Sequence, residues 1–371
     1  MKKTSQQELR PLIACSDLDL PELMVNVARA LSGTGPALGF GLIRSTYVPE
    51  GIAFVTTTTG STGNAREVGL SASALLSSAR ASHRYLGANF GQVWSLLLPL
   101  THIAALNVLV RSVELGTSPI DLRGTGGVRN FKVADFTAIV PTQLFRALHG
   151  DTELLEHLKN CRAVLVGGAA LAESMARDAE NAGITIVQTY GMSETSGGCV
   201  YNGEPLQGVE VKIIDGQVAI RGATLASTYI NDESAWLEKI DDGWFLTSDQ
   251  GIITDGKLKV LGRADDVIIS GGENISLNEI EESLRSHFPG IDIAAFALPD
   301  QEWGSSLHLA IAGNTSIPES EITFFLIQTH GEMAKPKGFY RLTALPLIGI
   351  GKVDRNALMR IAAESTAEEV G

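Results

Sequence analysis

Short apolar runs that end in turn-forming residues alternate with helix-like stretches through the first two-thirds of this chain, and few architectures accept that order. IAFVTT (52–57) precedes SASALLSSARASHRYLG, FTAIVPT (136–142) precedes QLFRALHG, RAVLVGGAA (162–170) precedes LAESMARDAENAG, and ITIVQTYG (184–191) comes next. This alternation is the mark of βαβ units, in which helices cover the faces of a parallel sheet. Ligands of such sheets bind beyond the carboxyl ends of the strands. Three glycine-rich turns lie at such ends: TTGSTG (58–63), VGGAA (166–170) and TYGMSET (189–195).

The texture changes near residue 205, where Asp215-Gly216 and Asp255-Gly256 each sit between alternating apolar residues and predict two hairpins in a small antiparallel subdomain. After Gly262-Arg263, Ser276 and Glu279 form a capping-box pattern, with Ile280, Leu284 and Phe288 on one face of the helix that follows and Pro289-Gly290 at its end. Strands are expected in IDIAAFALPD and SSLHLAIAG, then a helix from Pro318 to Gly331. At 371 residues the chain exceeds what one core usually covers. The expected fold is α/β: a large N-terminal domain (1–262) with parallel α/β sheets and a small β subdomain, a hinge (263–266), and a small mobile α+β C-terminal domain (267–371).

Composition narrows the function classes. Lys and Arg number 29 against 42 Asp and Glu, and a net charge of -13 leaves no electrostatic footprint for nucleic acid. Three cysteines, Cys15, Cys161 and Cys199, lack metal-ligand spacing and suit a reducing, cytoplasmic setting. The amino-terminal residues contain no long apolar stretch and do not read as a signal peptide. The most apolar window, 93–110, is interrupted by Pro99, Thr101, His102 and Asn107, so it reads as a buried strand-turn-helix and not as an integral membrane segment.

The first turn is rich in amides and hydroxyls suited to phosphate oxygens, yet no Lys-Ser/Thr pair follows Gly63, which excludes a P-loop of the usual kind. Together with Tyr190-Gly191-Met192-Ser193-Glu194-Thr195, Thr247-Ser248-Asp249, Gly262-Arg263-Ala264-Asp265-Asp266 and Gly351-Lys352-Val353-Asp354-Arg355, it makes the chain resemble the acyl-adenylate-forming enzymes. That group includes acyl-CoA synthetases, luciferases and the adenylation domains of peptide synthetases.

The resemblance implies ATP, Mg²⁺, coenzyme A and a small-molecule carboxylic acid as the reacting partners, and it implies a task for each motif. Thr58, Thr59, Gly60, Ser61, Thr62 and Gly63 would hold the β- and γ-phosphates, with Arg66 where the family usually has lysine. Gly167, Gly168 and Ala169 would line the adenine pocket, and Tyr190 would stack on the base within the Gly191-Met192 turn. Ser193 would meet the α-phosphate and Glu194 would ligate Mg²⁺. Asp249 would accept hydrogen bonds from the ribose hydroxyls with Arg263 nearby, and Lys352 would bridge the acid and the α-phosphate. Asp265 would be the hinge, and Gly271 and Gly272 would admit the pantetheine arm of CoA. Where the family pattern continues Pro-Lys-Gly, this chain has Ala65-Arg66-Glu67, and Glu67→Gly is expected to be neutral or mildly beneficial.

Within that group, SLLLPLTHIAALNVLVRSVELG, AVLVGGAAL and TYGMSETSGGCVYNGEPLQGVEVKI are most like the short o-succinylbenzoate–CoA ligases of menaquinone biosynthesis. The small residues Ser196 and Gly197 are expected to leave room beside Gly191 for a compact aromatic acid. His102 reads either as a contact to the acid or as a buried structural histidine, and Arg111 either as the partner of a second carboxylate or as a solvated helix-end residue. The rival readings are a ligase for another aryl or short acyl acid, an enzyme that passes its acyl group to a carrier protein, and a nucleotide-binding regulator without turnover. A homo-oligomer is left open.

Overall fold

The computed structural model describes residues 8–15, 18–58, 66–123, 133–263, 266–270, 273–300, 302–313, 317–348 and 352–368. The chain divides into two compact units. The first comprises Met1–Lys212, Ala219–Thr247 and Ile253–Leu258, and the second Ile213–Val218, Ser248–Ile252 and Lys259–Gly371. Mixed α/β architecture is present throughout.

A seven-stranded sheet in the first unit has the order Glu204–Pro205, Gly197–Tyr201, Ile186–Met192, Ala163–Val166, Phe136–Ile139, Trp94–Leu96, Ile120–Asp121. The five strands from Ile186–Met192 to Ile120–Asp121 run parallel. Four-residue strands such as Ala163–Val166 are buried at every position, as expected of a parallel sheet with both faces covered. Helices Pro141–Leu148, Thr152–Asn160 and Glu173–Asn181 contribute Leu144, Leu154, Leu158 and Ala179 to a core against Ile139, Val164 and Val166. The apolar window 93–110 is the strand Trp94–Leu96 followed by the helix Ile103–Glu114.

The second sheet of this unit has the order Thr228–Tyr229, Arg66–Ser71, Ile52–Thr58, Ala37–Phe40, Leu9–Ala14, Tyr47–Pro49. The strand Arg66–Ser71, antiparallel to Ile52–Thr58, intervenes where the sequence pattern predicts the helix Ala72–Leu86 directly after the loop. Glycine inside a strand weakens its signature, and here Gly69 is required by packing: a Cβ on it would lie 2.8 Å from Ile230 Cδ1 and 3.1 Å from Ile52 Cδ1.

Both Asp-Gly turns have two positive φ angles, 49° and 81° at Asp215-Gly216 and 51° and 76° at Asp255-Gly256, as two-residue hairpins with this twist demand. They join Val209–Ile214 to Gln217–Gly222 and Trp244–Thr254 to Lys257–Arg263.

In the second unit the sheet order is Glu273–Ser276, Val267–Ser270, Gly304–Ala312, Asp292–Asp300, with Gly338–Leu342 parallel to Gly304–Ala312. Period-two alternation splits the strand Asp292–Asp300 between two cores. Ile293 and Ala295 pack with Ile280, Leu284 and Leu326 of the helices Leu277–His287 and Glu319–His330. Ala294 and Phe296 pack with Leu358 and Ala362 of the helix Arg355–Glu368. Ser276 Oγ accepts from the Glu279 amide at 3.3 Å, the cap that the sequence predicts. The strand Gly338–Leu342 lies outside the sequence expectation, because GFYRL shows no clean alternation.

No helix among the described residues is long and apolar enough to cross a membrane. All three cysteines are free and buried, and burial pushes each thiol up to about 12.

Two buried histidines flank the strand Trp94–Leu96. Trp94 Nε1 donates to His83 Nε2 at 3.3 Å, and Ser95 Oγ lies 2.8 Å from His157 Nε2. Burial lowers both from 6.5 to about 4, with the nearby Arg111 cation adding to the shift at His83. Each ring is therefore held neutral in the folded state. The stability it contributes is complete above pH 6.5 and is lost as pH falls through 4. Urea midpoints taken across this window should fall steadily, and the double variant His83→Gln/His157→Gln should show a shallower slope.

Candidate active site

The turn after the strand Ile186–Met192 is built by close backbone approach. A Cβ on Gly191 would lie 2.1 Å from the Gly197 carbonyl oxygen, so only glycine fits. The pairing of Ile186–Met192 with Gly197–Tyr201 shifts register between Tyr190 and Gly191. Ser193–Thr195 forms one 3₁₀ turn. Thr195 Oγ1 accepts from the Met192 amide at 2.9 Å and lies 2.7 Å from the Gly197 carbonyl oxygen to which it donates. Ser196 takes a left-handed φ of 53°, and its carbonyl accepts from Asn107 Nδ2 at 2.8 Å and Ser78 Oγ at 3.1 Å. Two helices thus fix the far end of the turn, and the backbone of Ser193 and Glu194 has little freedom.

Opposite this turn stand the stems of the Thr/Gly loop. Thr58 pairs with Arg66 in an antiparallel ladder, and the stretch of sequence between them, 59–65, is longer than the usual hairpin connection, a length that usually serves function. Arg66 lies over the Tyr229 ring, 5.1 Å from its centroid, with Nε 3.9 Å from Asp232 Oδ2. The Tyr229 hydroxyl donates to Glu194 Oε1 at 2.9 Å. Burial, then the Glu194 carboxylate, raises the Tyr229 hydroxyl well above its ordinary range, so it stays a donor. Glu67 points elsewhere: its carboxylate accepts from the Arg44 amide at 2.5 Å, the Ser45 amide at 3.3 Å and the Ser45 hydroxyl.

At the neighbouring strand end, a Cβ on Gly167 would lie 2.3 Å from Thr189 Oγ1, and Gly168 has a φ of 84°. Gly168 and Ala169 are exposed and Tyr190 is half-buried, so this edge presents backbone beside an aromatic ring. Glu194 has no ion-pair partner among the described residues, which also hold no group of three or more His, Cys, Asp or Glu side chains able to hold a metal. A lone half-buried carboxylate, with one oxygen already hydrogen-bonded, fits Mg²⁺ that draws its other ligands from phosphate and water.

Residues 19–230 match the AMP-binding enzyme family. The chain belongs to that family. It is similar to a Mycobacterium tuberculosis protein named probable 2-succinylbenzoate–CoA ligase, 37% identical over an alignment of 365 residues that spans 91% of this chain and 94% of the relative. Among solved structures it is similar to the o-succinylbenzoate CoA synthetase of Bacillus subtilis in complex with AMP, 27% identical with a TM-score of 0.74 over 85% of this chain and 70% of that one. The same B. subtilis enzyme in complex with its acyl-adenylate intermediate gives 25% identity and a TM-score of 0.74 over 90% and 80% of the two chains.

The remaining family motifs fall in the second unit. Asp249 lies half-buried within Trp244–Thr254, and Arg263 ends Lys257–Arg263. Lys352 pairs through its backbone with Ile348 in a two-stranded ribbon. Just beyond it, Arg355 donates to Glu281 Oε1 at 2.8 Å, Asn278 Oδ1 at 3.0 Å and the Ala295 carbonyl at 2.9 Å. These bonds fix where the ribbon leaves the core. Thr59, Gly60, Ser61, Thr62, Gly63, Asp265, Gly271 and Gly272 lie outside the described residues, as does the Lys352 side chain.

Several expectations change against this geometry. Arg111 is not a solvated helix-end residue: it is 2% exposed, donates to the Tyr201 hydroxyl at 2.9 Å and lies 4.8 Å from the Trp94 ring centroid. Ser196 is fully buried, and a Cβ on Gly197 would lie 2.0 Å from Asn107 Nδ2, so protein already fills the room these small residues leave. His102 is half-buried at the start of the helix Ile103–Glu114 and makes no side-chain cap. Tyr229 was missed, because a tyrosine in an unremarkable run, STYIND, carries no spacing signal. The expectation for Glu67 reverses: it is 9% exposed and holds two backbone amides. Removing its carboxylate strands those donors, so Glu67→Gly should destabilise the first unit by about 1–3 kcal/mol in urea unfolding, and Glu67→Gln should recover part of the loss.

Proposed function

We propose that this chain is an ATP-dependent o-succinylbenzoate–CoA ligase. The observation that carries this reading is the locked Ser193-Glu194 turn facing the stems of the Thr/Gly loop, in a chain of the AMP-binding family that is similar to a relative named probable 2-succinylbenzoate–CoA ligase over 94% of that relative's length. In the first half-reaction a carboxylate oxygen of the acid attacks the α-phosphorus of ATP, the bond to the β-phosphate breaks, and pyrophosphate leaves. In the second the CoA thiolate attacks the acyl carbon, the bond to the AMP oxygen breaks, and AMP leaves. Adenylation supplies the leaving group that a free carboxylate lacks.

The roles follow the chemistry of each residue. Amides and hydroxyls of 58–63 hold the β- and γ-phosphates, Tyr190 stacks on adenine beside the backbone of 167–169, and Ser193 meets the α-phosphate. Glu194 holds Mg²⁺, which neutralises phosphate charge when bound. Asp249 and Arg263 take the ribose. Lys352 neutralises charge as pyrophosphate leaves. Residues 1–262 form the nucleotide and acid site, and 267–371 form the lid that carries Lys352 and turns about Asp265 between the two steps. Free buried thiols and an acidic surface suit a cytoplasmic enzyme.

Pyrophosphate release across a panel of carboxylic acids tests the assignment. o-Succinylbenzoate should give the highest kcat/KM, and product analysis should show the CoA thioester. Lys352→Ala should lower adenylation by at least about 10²-fold, while thioester formation from synthetic acyl-adenylate stays largely intact. An equal fall in both half-reactions would contradict the two-step use of the lid. A higher kcat/KM for another acid would reassign the substrate.

A further inference from the structure

The segment 226–230 is bonded to two parts of the site at once. On one side the Ala226 amide donates to the Glu194 carbonyl at 2.8 Å. On the other, Thr228 and Tyr229 pair with Gly69 and Val68 of the strand that leaves the Thr/Gly loop, and the Ile230 amide donates to the Glu67 carbonyl at 2.7 Å. The Tyr229 side chain repeats the connection. Its ring carries Arg66, the first described residue after the loop, and its hydroxyl holds Glu194.

The ring itself is closely packed. Tyr229 is 3% exposed, and Trp236 meets it edge-on with centroids 5.3 Å apart, while Phe245 stacks on Trp236 at 5.2 Å. Phenylalanine would satisfy all of this packing. Only the hydroxyl distinguishes tyrosine here: it donates to Glu194 Oε1 and accepts from the Arg66 side chain.

We propose that Tyr229 is a positioning residue for the Mg²⁺–nucleoside triphosphate site: its hydroxyl occupies one oxygen of Glu194 and leaves the other turned to the cation. The proposal rests on the reading of Glu194 as the cation's carboxylate. A carboxylate held by a fixed donor has one orientation to offer, and a freely turning one must be ordered when the cation arrives. Arg66, seated on the same ring, gives the loop stem a fixed place relative to that carboxylate.

Tyr229→Phe tests this, because it keeps the ring, the contact to Trp236 and the ring face on which Arg66 lies, and removes only the hydroxyl. ATP binding is measured by calorimetry at a series of Mg²⁺ concentrations with no acid or CoA present, and AMP binding without Mg²⁺ serves as the control. The Mg²⁺ concentration for half-maximal ATP binding should rise about 10- to 100-fold, with AMP affinity unchanged. Glu194→Gln, measured in parallel, separates the two readings. If Glu194→Gln raises the Mg²⁺ requirement and Tyr229→Phe does not, the positioning role is overturned and the role of Glu194 stands. If neither variant moves the requirement, both fall. Equal weakening of AMP and Mg²⁺–ATP by Tyr229→Phe would also overturn the proposal, since it would mark a general loss of structure.

Discussion

The close approach of Gly191 to the Gly197 carbonyl is the contact on which the rest of the site depends. Two strands that ran in simple register would carry Tyr190, Ser193 and Glu194 along alternating faces of one ribbon. The register shift after Tyr190, the single 3₁₀ turn and the left-handed Ser196 instead bunch them at one strand end. Asn107 and Ser78, from two different helices, then hold the Ser196 carbonyl. The turn is therefore as rigid as the helices behind it. A site that must meet phosphate charge benefits from donors and carboxylates already in place, because none of the binding energy is spent on ordering them.

Much of this was legible in the chain. Strand and helix alternation reports the parallel sheet because each strand is buried on both faces, and the two Asp-Gly turns report hairpins because only residues tolerant of positive φ fit there. The capped helix after Ser276 shows the same directness. Arg66–Ser71 was hidden: a six-residue strand with a glycine at its centre reads as the prelude to the helix that follows. Gly338–Leu342 was hidden likewise, by a pattern with no clean period.

The candidate site was legible in its motifs and opaque in its supports. Glycines and the YGMSET run mark a family; nothing in the one-dimensional pattern says that Tyr229, thirty-five positions beyond Glu194, donates to it. Arg111 shows the opposite error. An arginine in the last turn of a helix is ordinarily solvated, yet here the helix Ile103–Glu114 is covered so completely that the guanidinium lies beneath Tyr201 and against Trp94. Such supports are tertiary facts, set by which elements pack together.

Glu67 carries a consequence for how this chain can vary. With its carboxylate closing the amides of Arg44 and Ser45, and Asn231 Nδ2 donating to the Ser45 hydroxyl at 2.8 Å, positions 44–45, 67 and 231 form one unit spread over three distant parts of the sequence. Glycine at 67 would strand the Arg44 and Ser45 amides until the 44–45 segment found other acceptors. Substitutions at these positions must arrive together or in a narrow order. The divergent loop stem is thus tied to two remote segments: with the glutamate fastened, its neighbours depend on it, and glycine at 67 is no neutral alternative.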